Sequence, residues 1–206
     1  MVADRFQHLH VHSHYSLLDG VCTVPQLVGS AAACGMKALA LTDHGNMYGA
    51  VEFHHRCHEA GIKPIIGMEA YITAGSRFDR SRGDDGGSGY YHLVLLVENE
   101  IGYQNLLKLT STAFVDGFYY KPRIDHEALA AHSEGLIGLS ACLSSEVNRA
   151  LLHGDDAKAE ACARRYMGTI VSLVERESAT GMRTSATAEV CYHSILSPTC
   201  IYEMPM

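Results

Sequence analysis

Residues 6–20 read FQHLHVHSHYSLLDG, and the rest of the chain is read outward from them. His8, His10, His12 and His14 alternate with the residues between them, which include the apolar Leu9 and Val11. A period of two is that of a β-strand, so the pattern predicts a strand with one face carrying imidazoles. Neutral imidazole is the commonest metal ligand, and residues two apart on a strand point to the same side. Asp19 follows on a short turn ending at Gly20. The stretch reads as the first ligand strand of a metal site. A solvated tag would lack the interleaved apolar residues.

The 206 residues are enough for one domain with a substantial core. Hydrophobic residues make up 47% and charged residues 19%, the proportions of an ordinary globular protein. The net charge of −7 argues against a broad electrostatic surface for DNA, though not against a local patch. No apolar run approaches the roughly 20 residues of a membrane span, and no signal-peptide pattern is visible, so no membrane partner is expected. Seven cysteines are scattered without a CxxC pair, which fits the reduced thiols of a cytoplasmic protein.

Beyond Gly20 the chain alternates predicted strands and helices. Thr23 and Pro25 open a helix whose apolar face is Leu27, Val28, Ala31 and Ala32, and Gly35 ends it. Ala38–Leu41 is a short buried strand running into Thr42-Asp43-His44-Gly45. A helix over 47–60 and a strand over 63–71, with Glu69 near its end, complete a parallel α/β rhythm. The Gly/Ser/Asp/Arg-rich residues 74–90 predict a surface loop. Further strands are expected at 91–97, beginning near His92, and at 135–141, ending at Cys142. Helices are expected over 99–113, after Asp125, after Ser144 or Ser145, and after Asp155.

Functional groups in parallel α/β folds gather at the C-terminal ends of strands. His10, His12, His44, Glu69 and Cys142 stand at or near strand ends, Asp19 follows the first strand, and His92 lies on the fourth. Histidine, carboxylate and thiolate are ligands for zinc, manganese and iron, and Cys142 tilts the choice toward zinc. Seven such residues exceed one tetrahedral site and point to two or three divalent metals. Clusters of this kind hydrolyse phosphate esters: one metal lowers the pKa of water to about 7 and a second stabilises the leaving oxygen. Asp43 is placed to accept the outer N–H of the His44 imidazole and fix its tautomer. His54 and His58, four apart on a helix, read as a solvated face, because the neighbouring carboxylates complete no zinc-protease pattern.

The segments HLHVHS, LTDHGNMYGAVEF, GIKPIIGMEAY, YYHLVLLVENEIGYQNLLKL, DGFYYKPRID and GLIGLSACLSSEV occur in that order. Together they resemble the PHP domain (polymerase and histidinol phosphatase) found at the N-terminus of bacterial DNA polymerase III alpha subunits. The resemblance covers about residues 5–167. It implies a distorted (β/α)7 barrel and places metal-ligand roles on His10, His12, Asp19, His44, Glu69, His92 and Cys142. It also implies a metal-dependent 3′–5′ exonuclease that proofreads in DNA replication, with the DNA primer end and replisome subunits as partners. Two alternatives stay open: a non-catalytic module that packs within the polymerase, and a stand-alone phosphomonoesterase.

The sequence departs from that pattern in its last part. The family closes its cluster with a late Asp-x-His pair, but no Asp follows Asp156 and no Asp-x-His occurs. The barrel is therefore expected to be incomplete at its C-terminal end. His14 stands where many relatives carry an acid. A PHP domain over 1–167 and an atypical tail over 168–206 are expected; the tail contains no Lys, Asp or Phe. A shifted reading frame, an artificial junction, or a disordered or ordinary extension would each produce such a tail. The polymerase palm, fingers and thumb are absent, so synthesis of DNA by this chain alone is not expected.

Overall fold

The computed structural model describes residues 6–80, 89–170 and 172–174. Residues 81–88 of the expected loop and most of the expected tail lie outside the described residues. Helix α1 (Val24–Ala33) begins where Thr23 donates its backbone N–H to Gln26 Oε1 at 2.8 Å, and Gly35 follows in the left-handed region at φ +74°. Strand β1 (Ala38–Leu41), helix α2 (Ala50–Glu59) and strand β2 (Lys63–Thr73) come next. They are followed by β3 (Tyr91–Val97), α3 (Glu100–Val115), β4 (Arg123–Asp125) and α4 (His126–Ala131). The chain then forms β5 (Leu136–Leu139), α5 (Glu146–Leu152), α6 (Asp156–Thr169) and β6 (Ser172–Val174). Asn99, Asp125, Ser145 and Asp155 cap α3 to α6 in turn, each accepting a backbone N–H three residues on.

Two differences from the sequence reading bear on the site. Helix α2 starts at Ala50, not at 47. Asn46 folds the preceding residues into a turn: its Oδ1 accepts the Tyr48 N–H, and its Nδ2 donates to the carbonyls of His44 and Tyr15. The segment around His10 is not a regular strand. Its His8 and Val11 carbonyls accept the N–H groups of Ala40 and Thr42, three residues against two, so an extra residue interrupts the pairing as in a bulge. The alternation is broken in consequence. His8 packs edge-on against Phe6, His14 lies on Tyr15, and only His10 and His12 turn to the same place.

The strands form one mixed sheet ordered β1-β2-β3-β5-β6, with β4 also on β2. β1 and β4 run parallel to β2, whereas β3 is antiparallel to both β2 and β5. The parallel rhythm expected from the sequence therefore holds through β2 and reverses at β3, which pairs antiparallel with it. This is the α/β class anticipated. The alternation of β2 sorts its side chains onto two faces. Ile66, Met68, Ala70 and Ile72 join the main core against the helices, with Phe53, Leu93, Leu95 and Leu106. On the other face Ile65 meets Ala38, Ala40, Val94, Leu96 and Ile137 in a smaller apolar cluster. Each fully buried aliphatic or aromatic side chain contributes about 1.5–3 kcal/mol. Glu69 belongs by its register to this second face, past the end of the apolar cluster.

Helices α5 and α6 are joined by a buried carboxylate. Glu146, 4% exposed, accepts Arg165 Nη2 at 2.6 Å on both oxygens and the Tyr166 hydroxyl at 3.0 Å, with His126 Nε2 3.5 Å away. Burial works against its charge, but His126 and Arg165 outweigh it and lower its pKa to about 2. A depressed carboxyl pKa adds stability above the unfolded-state value, and that stability fades as the folded group is protonated. Glu146→Gln should therefore cost about 1–3 kcal/mol at neutral pH. In urea unfolding, the gap to the unsubstituted chain should close as pH falls from about 4.5 to about 2.

Candidate metal centre

Glu69, 1% exposed, is the hub of the site. His10 Nε2 lies 3.0 Å from its Oε2, His12 Nε2 2.9 Å and His44 Nδ1 3.2 Å, while His92 Nδ1 lies 2.9 Å from Oε1. Asp19 Oδ2 is 2.9 Å from His44 Nε2. Cys142 Sγ is 3.7 Å from Glu69 Oε1 and 3.6 Å from His92 Nδ1. All seven residues singled out in the sequence as ligands are thus brought to one place. All but Cys142 form overlapping groups, His10/His12/Glu69, His12/Asp19/His44 and His44/Glu69/His92, with ligand atoms in each group within 4.8 Å of one another.

The backbone accounts for each position. His44 continues the line of β1 and bridges to Glu69 in parallel register. His92 pairs with Tyr71, two residues along β2 from Glu69, so the two side chains share a face on neighbouring strands. Cys142 follows Ala141, whose φ of +58° turns the chain sharply at the end of β5, and the Ser144 N–H donates to its sulfur at 3.4 Å. Asp19 sits on the turn after Ser16 with its carboxylate 57% exposed, at the open side of the cluster. Tyr71 lies parallel to the His44 ring at 5.7 Å, and His12 stacks on that same His44 ring at 4.2 Å.

Asp43 is buried, and it reaches the centre through serines rather than through the imidazole of its neighbour. Its carboxylate accepts the Ser13 N–H at 2.7 Å, the Ser13 hydroxyl at 2.8 Å and the Ser16 hydroxyl at 2.6 Å. Ser16 Oγ in turn accepts the His44 backbone N–H at 3.0 Å and stands 3.4 Å from His12 Nδ1. The sequence reading missed both serines. Their signal was present in HSHYS, as hydroxyls placed among the candidate ligands. His54 and His58 face each other at 3.2 Å on the solvent side of α2, apart from the centre.

The electrostatics suit cations. Burial opposes the charge of Glu69, but hydrogen bonds from His10, His12 and His92 hold its carboxyl far below the ordinary carboxylate range. Burial also disfavours the His92 imidazolium, yet Cys142 and Glu69 raise its pKa to about 9. The same pairing with His92, helped by the Ser144 N–H, lowers the thiol of Cys142 against the effect of burial. At His44 burial dominates and lowers the imidazole. Its buried Nδ1, although 3.2 Å from Glu69 Oε2, makes no hydrogen bond. Three imidazole nitrogens directed at one carboxylate oxygen, one of them unsatisfied, form a donor set that fits divalent metal ions. Asp43→Ala should cost about 2–4 kcal/mol by leaving the Ser13 N–H and the Ser13 and Ser16 hydroxyls without their acceptor. Metal affinity should fall about 10–100-fold, read by calorimetric zinc or manganese titration.

Comparison with known proteins places this geometry in a family. A profile of the PHP domain matches residues 8–175. DNA polymerase III subunit alpha of Treponema pallidum is 54% identical over 166 residues, which are 81% of this chain and 14% of that protein. The same subunit of Thermus aquaticus is 50% identical over 150 residues, 72% of this chain and 12% of that protein. The chain thus spans about one seventh of the length of these relatives. An amidohydrolase from Chromobacterium violaceum, solved with sulfate and no metal, aligns at a TM-score of 0.39 and 27% identity over 52% of this chain and 32% of its own. That likeness is too slight to bear on function. From the profile match over most of its length, the chain belongs to the PHP domain family.

Proposed function

We propose that this chain is the PHP part of a bacterial DNA polymerase III alpha subunit, and that its centre hydrolyses phosphodiesters as a 3′–5′ exonuclease acting on a primer end. The observation that carries this reading is the convergence of four imidazoles, Cys142 and Asp19 around the buried Glu69 in a PHP chain. Divalent metals held there supply Lewis acidity, making water nucleophilic near neutral pH and offsetting charge on a leaving oxygen. The overlap of the three groups favours two or three ions; zinc, manganese and iron all suit the donors, and the thiol favours zinc.

The chain's own residues have separate tasks in this reading. His10, His12, His44, His92, Glu69 and Cys142 hold the ions on the walled side. Asp19, exposed toward solvent, completes the set where a substrate would enter. Asp43, through Ser13 and Ser16, keeps the N-terminal ligands and His44 in fixed relation. DNA and other replisome subunits are the partners this reading assigns, and residues 1–167 are its domain. Without the late Asp-x-His pair the site has fewer donors than the family pattern, so activity should be low.

The test combines metal content and hydrolysis. Elemental mass spectrometry on protein purified without chelator should find two or more equivalents of zinc or manganese per chain. A primer with a mismatched 3′ end should be shortened, and Glu69→Gln should lower that rate at least 100-fold. A folded chain without metal would make the domain a packing module instead. Hydrolysis of small phosphomonoesters alone would make it a stand-alone phosphatase.

A further inference from the structure

Beside the cluster of imidazoles, carboxylates and thiol stands one lysine. Lys121 Nζ lies 5.3 Å from the centroid of the Tyr71 ring, and Tyr71 is parallel to His44. Among the described residues no carboxylate lies within ion-pair distance of Lys121. Two other cations near this loop, Arg123 and Arg77, are engaged, and Arg80 stands close enough to Arg123 to act on its charge. Arg123 is buried and donates to the carbonyls of Gly117, Arg77 and Asp79, and Arg77 is held by Asp125. Lys63 begins β2 six residues before Glu69, about 20 Å away at strand spacing.

The backbone under Lys121 is fixed from both sides. Pro122 is buried against Gly45, where a Cβ would come within 2.8 Å of Pro122 Cγ and 3.0 Å of the Tyr71 ring. Gly45 has φ +63°, so the glycine is needed both for its conformation and for the close approach next to His44. On the other side the Tyr119 N–H donates to the Lys121 carbonyl across a tight turn, with Tyr120 at its apex in the left-handed region at φ +59°. Strain of this kind persists where the surroundings over-determine it, often at functional sites. A cationic arm is thus mounted on a rigid base against Tyr71, the ring that stacks on His44.

We infer that Lys121 is a substrate-binding residue that grips a non-bridging oxygen of the phosphate presented to the metal centre. The inference rests on the phosphodiesterase reading above and specifies how that site recognises its substrate. The ligands can hold cations, but they offer a phosphate no ammonium or guanidinium of their own. A charge-assisted N–H···O contact supplies the missing counter-charge and orients the group. The aromatic bed under the ammonium keeps it near the site without neutralising it.

The test uses this chain loaded with manganese, the variants Lys121→Met and Lys121→Arg, and inorganic phosphate and a ten-nucleotide oligothymidylate as probes. Calorimetry should show phosphate affinity at least tenfold weaker in Lys121→Met and within about threefold of the original in Lys121→Arg. Oligonucleotide binding should lose about one unit of its log–log salt slope in Lys121→Met. Metal equivalents and the melting temperature should stay unchanged in both variants. Equal phosphate affinity in Lys121→Met, or no phosphate binding by the unsubstituted chain, would overturn the inference. Lysine-dependent phosphate binding without any primer shortening would instead count against the exonuclease reading and leave the role of Lys121 standing.

Discussion

A carboxylate removed from water must be matched by positive charge or by hydrogen-bond donors, and Glu69 imposes that demand on the whole domain. It sits midway along the longest strand, with β1 and β4 meeting β2 on one side and β3 on the other. No single neighbouring element could satisfy it. The donors arrive from the N-terminal segment, from the residue that extends β1, from the start of β3 and from the bend after β5. The order of the strands and the reversal at β3 can be read as the arrangement that lets these four places meet at one oxygen pair.

Much of this was legible from residue types. Caps, apolar runs and turn residues fix most helices and strands, because those signals act within a few residues. The clustering of these side chains was legible because imidazoles, carboxylates and a thiol at element ends are costly to explain one at a time. What escaped the sequence was long-range. Nothing local in YHLVLLV states that β3 runs antiparallel to β2. The even spacing of His8, His10, His12 and His14 looked like a strand, but pairing with β1 at unequal spacing overrode it. Asp43 stood next to His44 and seemed destined for its ring, yet two serines from a distant segment reach it first.

The family assignment and the geometry bear on different questions. The match over residues 8–175 fixes the kind of domain. The geometry states how this chain, with its own departures, assembles the centre. The groups share residues: His12 belongs to two of them, as do His44 and Glu69. Sharing of this sort couples neighbouring positions, so that a change at a common residue is felt by more than one group at once. Residues that belong to a single group, such as His10 or His92, allow finer adjustment.

The irregular N-terminal segment has a second consequence, in the physics of sheet edges. β1 ends the order of strands, and a bare terminal strand offers unpaired N–H and C=O groups to any passing chain. Here the Gln7 side chain accepts the N–H groups of Lys37 and Ala38, while the His8 and Val11 carbonyls accept those of Ala40 and Thr42. The same residues that deliver His10 and His12 to the centre therefore seal the sheet. Their broken register makes them a poor template for a further strand. Recognition chemistry and protection against self-association are carried by one short length of chain, and a lesion there exposes the sheet as it dismantles the site.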